Sequence, residues 1–167
     1  MESCVGCGAE LMAMEGPTHP FMRSSAACWN LFGIFMAKEY SEPAYRESSA
    51  LAVDCYAVQH PGPDNRRANQ WMATRLMSLC LVLEYSFEQN QASAAVSEMI
   101  RQFHPVFDRL QPPADRGHVT IQNVAVAQTP VAQRQWVQQW AESCWQAWRP
   151  HADQVRHWLR EYKLVRA

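Results

Sequence analysis

Leu51-Ala52-Val53-Asp54-Cys55-Tyr56-Ala57-Val58-Gln59-His60-Pro61-Gly62 is the stretch on which the fold turns. As a strand it would line up Asp54, Tyr56 and His60 along one side. As a helix it puts Tyr56 and His60 one turn apart on a shared face and points Asp54 roughly the other way. Pro43 suits the first turn of a helix. Pro61-Gly62-Pro63 stops one firmly. The segment is therefore expected to be helical from Pro43, through Leu51, Val53 and Tyr56, to His60.

The same patterning extends on both sides. Ser24 or Ser25 can cap a helix that carries Cys28 to Met36 and ends near Tyr40. Asp64 can cap a third helix, from Asn65 to about Phe87, with Trp71, Leu76, Leu79 and Leu83 on its apolar stripe. Ala94 to Leu110 shows helical spacing again, with Pro105 expected to kink or split it. Residues 111–117 form a loop. Thr120 looks like the cap of a short helix from Ile121 to Ala127, although Val119, Ile121 and Val124 also fit a brief strand. Thr129-Pro130 opens a long helix with Trp136, Trp140, Cys144 and Trp148 at steps of four. Pro150 interrupts it, and a last helix is expected from His151 to Val165. The tryptophans read as core.

The first 25 residues differ. They hold Cys4, Cys7, Gly6, Gly8, Gly16, Pro17 and Pro20, with no helical period and too few apolar residues for a core. The expectation is an all-α, single-domain helical bundle over residues 26–167, with residues 1–25 as an irregular, loop-rich, zinc-knuckle-like segment held by a metal.

Bulk composition narrows the function classes. A chain of 167 residues, 48% hydrophobic and 19% charged, suits one globular domain. A formal net charge of -1 and no run of Lys or Arg argue against a nucleic-acid partner. No apolar stretch approaches the length of a membrane span. The N-terminus lacks the basic start and apolar core of a signal peptide. A cytoplasmic protein is expected, and its six cysteines are then packing, ligands or reactive thiols instead of disulfides.

Cys4-Val5-Gly6-Cys7-Gly8 is a C-x-x-C-G knuckle. Two thiolates at this spacing can face one ion, because the intervening glycine lets backbone amides turn toward the sulfurs. A redox C-x-x-C would normally follow a strand and open a helix, a setting this one lacks. Zinc is the expected cofactor. Cys28 is the third candidate ligand, since a helix start favours a thiolate. His19 and His60 compete for the fourth place. Cys80 and Cys144 fall on apolar stripes and read as core. Asp54, Tyr56 and His60 are the candidate catalytic groups, by ligation or acid–base work. The plainer alternative has Asp54 bonding a neighbouring helix and His60 closing its own.

Taken together, Cys4-x-x-Cys7-Gly8-Ala9, Gly16-Pro17-Thr18-His19, Cys28-Trp29, Glu39-Tyr40, Val53-Asp54-x-Tyr56-Ala57-x-Gln59-His60-Pro61-Gly62 and Trp140-Ala141-Glu142 make a combined signature. In that order they resemble a family of uncharacterised, mainly bacterial proteins classed as a domain of unknown function. The resemblance implies one domain of this length and no established activity. Members often carry histidines where this chain has Ser49-Ala50 and Arg75, so a histidine site of relatives is altered here, whereas the cysteine set matches. Three roles follow as expectations, the least favoured being thiol-redox or metal sensing by the Cys4/Cys7 pair. One is a zinc-stabilised protein that acts through an unknown small molecule or protein partner. Another is an enzyme with an open metal position.

Overall fold

The computed structural model describes residues 1–166. Its centre is the stretch quoted first. Residues Ser49–Gln59 form an α-helix in which Ser49, Leu51, Ala52 and every residue from Asp54 to Gln59 are buried. A helix apolar nearly all round belongs inside a bundle. Around it lie α1 (Ala26–Ser41), α3 (Arg66–Tyr85), α4 (Gln89–Phe103) and α6 (Pro130–Ala147), the buried helix being α2. The short α5 (Ile121–Val124) packs on α1 and α6, and α7 (Ala152–Glu161) on α3. The result is a single, mostly helical domain, as the apolar periodicity implied. No helix among the described residues is long and apolar enough to cross a membrane.

Local chemistry sets most boundaries. The Ser25 hydroxyl accepts from the Cys28 amide and starts α1. Thr129 does the same for α6, with Pro130 in its first turn. Thr120 and Asn123 form a reciprocal cap that makes 121–124 a helical turn, not a strand. The four tryptophans at 136, 140, 145 and 148 are core or its margin. The indole N–H groups of the last three go to Gln59, Glu84 and the Val58 carbonyl.

Several boundaries depart from expectation. The Pro43 segment begins as a 3-10 helix, Pro43–Ser48, and turns α-helical only at Ser49. Three-residue spacing aligns Tyr45 and Ser48 on one side. There Tyr45 donates to the Gln128 carbonyl and Ser48 to the buried Glu39. The cap of α3 is Asn65, because its side chain accepts from the Ala68 amide, while Asp64 binds the Asn69 side chain. The fourth helix starts earlier, at Gln89, and stops at Phe103, where His104 takes a left-handed φ of 46° before Pro105. Phe107 is still buried, against Trp158 and Tyr162, but from non-helical chain. That contact gave the false continuation of helical period. Residues Arg149–His151 form a 3-10 turn ahead of α7, which ends at Glu161.

The N-terminal segment contains two short strands, β1 (Glu2–Ser3) and β2 (Glu10–Leu11), paired antiparallel. The C-x-x-C-G knuckle is the tip of this hairpin, closed by Cys4 N–H to Ala9 O at 2.9 Å and Gly8 N–H to Cys4 O at 2.8 Å. So a strand does precede the knuckle, though it belongs to a two-stranded ribbon and not to a βαβ unit.

Candidate metal centre

Three chain segments bring four side chains to one point. Cys4 and Cys7 come from the hairpin tip, Cys28 from the first turn of α1, and His60 from the residue that ends α2. Their ligand atoms all lie within 4.8 Å of one another. Cys4, Cys28 and His60 are buried, and Cys7 is half-buried.

The approach of His60 depends on two glycines. A Cβ on Gly6 would sit 2.1 Å from His60 Cδ2 and 2.5 Å from the Arg23 carbonyl. On Gly62 it would sit 2.2 Å from the Phe21 carbonyl. Gly62 lets the 21–23 segment lie against the end of α2, where Arg23 N–H bonds the His60 carbonyl and Met22 bridges Pro61. The Gly of the knuckle therefore serves the close approach of the imidazole, beyond freeing backbone amides to turn.

The orientation of His60 fixes its tautomer. Nδ1 is 2.6 Å from the Tyr56 carbonyl, which can only accept, so Nδ1 carries the proton. Nε2 then presents a lone pair, 3.5 Å from Cys4 Sγ and 3.4 Å from Cys28 Sγ. The ring is held in a stack, 3.9 Å from Tyr56, which is 4.0 Å from Phe32. A backbone carbonyl fixing the far ring nitrogen is the usual support of a metal-bound histidine.

These separations can be tested against an ion. A tetrahedral site with zinc–sulfur bonds of about 2.3 Å and a zinc–nitrogen bond of about 2.0 Å has sulfur–sulfur edges of roughly 3.8 Å and sulfur–nitrogen edges of roughly 3.5 Å. Cys7 Sγ and Cys28 Sγ are 3.8 Å apart, and the two sulfur–nitrogen separations are those just given. The contacts have the lengths of tetrahedron edges.

The electrostatics agree. Hydrogen bonds from Cys28 and Cys7 hold the Cys4 thiol far below its usual value. The same crowding, with burial, drives Cys28 far up. At Cys7 the bond with Cys28 is opposed by Cys4 and by burial, and its thiol is pushed up to about 12. One thiolate is thus comfortable in this nest and three are not, unless a cation lies among them. Supporting donors are in place. The Ser25 amide points at Cys4 Sγ (3.4 Å) and the Tyr56 hydroxyl at Cys28 Sγ (3.5 Å). Arg116 donates to the carbonyls of Val5 and Gly6, placing a positive charge behind the knuckle.

The remaining sequence candidates lie elsewhere or do other work. His19 is outside the four-residue cluster. Its Nδ1 accepts from the Phe21 amide, and its ring packs beside Phe21, Trp29 and Trp71. Asp54 faces α3, where Ser78 Oγ (2.6 Å) and Arg75 Nη1 (3.2 Å) donate to it. Burial pushes its carboxyl up to about 6, although Arg75 and Ser78 pull the other way. Tyr56 is turned to Cys28, and burial first, then Cys28, raises its hydroxyl. Asp54 is therefore not brought together with Tyr56 and His60. Cys55, Cys80 and Cys144 are fully buried in the core.

Sequence reasoning missed three contributors, Ser25 as a donor to sulfur, Gln59 and Arg116. Gln59 donates to the carbonyls of Arg116 and Val119 and accepts from Trp140, so it fastens the loop that carries Arg116. A glutamine beside His60 inside an apolar helix was the available hint. Nothing near Arg116 in sequence connects it to residues more than a hundred positions earlier.

With this geometry established, the chain can be compared with known proteins. Residues 2–149 match a family described as "Family of unknown function (DUF5946)", and the chain belongs to that family. No curated protein and no solved structure matches it.

Proposed function

For a member of a family with no assigned activity, we propose that this chain is a zinc protein. Cys4, Cys7, Cys28 and His60 hold one ion, whose task is to fasten the N-terminal segment to the helical bundle. The observation that carries this is the convergence of three sulfurs and one correctly protonated imidazole within 4.8 Å of one another, with one sulfur–sulfur and two sulfur–nitrogen contacts at tetrahedral edge lengths. Three thiolates and an imidazole favour zinc over the harder cations, which prefer oxygen. Four protein donors leave no open position, which favours a structural ion over one that activates water.

The protein would then act through what its surface binds. An open surface depression of about 740 Å³ between the start of α2 and α6, lined by Leu51 and Val137 as well as Gln89, Arg134, Gln138 and Glu142, is the region we propose for a small molecule or a peptide side chain. The catalytic alternative needs acid–base groups around an open coordination site. Asp54 is engaged with α3 and Tyr56 with a ligand sulfur, so the geometry gives that alternative less support.

Elemental analysis of protein purified without added metal, with thiol titration alongside, tests the proposal. About one zinc per chain is expected for a single such site, with Cys4, Cys7 and Cys28 protected until the ion is chelated. Metal-free protein whose knuckle thiols react freely would refute it.

A further inference from the structure

We infer that Cys7 is a modification site, at which a peroxide oxidises the sulfur and Cys28 converts the product to a disulfide, releasing the metal. The inference rests on the zinc centre proposed above.

Access singles out Cys7. The other three ligands are at most 3% exposed, and Cys55, Cys80 and Cys144 are fully buried. Cys7 is half-buried and lines a surface cavity of about 260 Å³. One wall of that cavity is the knuckle, Cys4 to Gly8, and the other is the loop from Ala114 to Gly117. A small peroxide, little larger than water, fits such a space. Arg116, bonded to the knuckle carbonyls, lines the same cavity and sets a positive charge at its wall.

A partner sulfur is already adjacent. Cys28 Sγ lies 3.8 Å from Cys7 Sγ, and a disulfide needs about 2.05 Å. Cys28 is fixed in the first turn of α1, so the closing movement falls to the knuckle tip. Cys7 lies there between Gly6 and Gly8, in a hairpin with only two residues per strand.

The chemistry balances with one peroxide. The Cys7 sulfur attacks a peroxide oxygen, an S–O bond forms and the O–O bond breaks. The leaving hydroxide or alkoxide takes up one proton from the buffered solvent. The Cys28 thiolate then attacks the sulfenic sulfur, an S–S bond forms and the S–O bond breaks, and the hydroxide released is protonated. Two thiolates, one peroxide and two protons give a disulfide, one water, and a second water or an alcohol. Two electrons pass from sulfur to oxygen. Cys4 and His60 alone remain on the ion, too few to retain it.

The test uses the full chain, reduced and zinc-loaded, titrated with hydrogen peroxide in the presence of a chromogenic zinc chelator. Mass spectrometry then maps the disulfides. The expected result is release of the bound zinc in proportion to peroxide consumed, a Cys7–Cys28 disulfide, and recovery on adding thiol and zinc. Zinc retained under excess peroxide would overturn the inference, as would a Cys4–Cys7 disulfide or first oxidation at Cys55, Cys80 or Cys144. The zinc content before peroxide separates the two claims. Its absence sinks the centre and this inference together, whereas zinc that peroxide fails to release sinks this inference alone.

Discussion

At the N-terminal end of the molecule, Cys4 and Cys7 are tied to Cys28 and His60. At the far end of α3, Glu84 gathers Trp145, Arg149 and Arg156. Both knots join segments far apart in sequence, but they rest on different physics. Around Glu84 the chain has packed already, with Val155, Trp158 and Leu159 buried against the bundle. The carboxylate accepts from an indole N–H at 2.9 Å and from two guanidinium nitrogens of Arg156 at 2.7 and 2.8 Å, adding to an apolar contact. The knuckle makes less such contact, with only Cys4 and Ala9 in the core and Cys7 and Leu11 packed against it. Val5, Met12 and Met14 are exposed, and a hairpin with two-residue strands is not stable alone. One end would persist without its polar knot, whereas under the zinc proposal the other leans on the ion together with the bonds from Arg116 and Gln122 to its carbonyls.

The contrast sharpens into an ordered set of expectations. The largest effect belongs to the double variant Cys4→Ser and Cys7→Ser. It should lose the zinc and loosen residues 1–25, forfeiting a large part of the roughly 10–16 kcal/mol a structural zinc can supply, while the buried helices keep their hydrogen-exchange protection. Metal analysis and exchange mass spectrometry read both, and full zinc content in that variant would break the comparison.

Next comes Glu84→Ala, which should cost about 1–3 kcal/mol in chemical denaturation, the scale of hydrogen bonds to a charged group, and leave zinc content unchanged. Its pH dependence is specified too. Arg156 holds the Glu84 carboxyl below its usual 4.5. The folded state therefore binds the proton less readily than the unfolded one. The Glu84 contribution is complete above the usual value and is lost as pH falls through the lowered one. A wild-type advantage over Glu84→Gln that grew on acidification would contradict this.

Asp54→Asn should act more gently and in the opposite sense. Burial raises the Asp54 carboxyl from 3.8 to about 6. Between those values the folded state holds the extra proton, so stability falls as pH rises. The Asn variant should lose that part of the slope and keep its zinc. A variant that folded equally well but lost the ion would return Asp54 to the metal site.

The smallest effect is expected from His19→Ala. It removes an aromatic contact and a local turn bond, and zinc content should not change.

Much of this was legible in the sequence, for identifiable reasons. Helix starts at Ser25, Thr120 and Thr129 follow from hydroxyl caps acting over three residues. The C-x-x-C-G spacing announces two ligands because both sit in one tight turn. Cys28 could be nominated from its place at a helix start. What could not be read was long-range. Whether His19 or His60 would join the sulfurs depends on how the 21–23 segment lies against the end of α2, which Gly62 permits only in three dimensions. Asp54 resembled an acid–base group because its partners, Arg75 and Ser78, lie one helix away. The end of α4 was misplaced because Phe107 is buried for tertiary reasons at a spacing that imitates a helix.

X-ray absorption at the zinc edge of the purified, reduced protein tests the central claim most directly. The account predicts a first shell of three sulfurs and one nitrogen, with sulfur at about 2.3 Å and nitrogen at about 2.0 Å. A shell containing oxygen, or only two sulfurs, would contradict a closed structural centre built from Cys4, Cys7, Cys28 and His60.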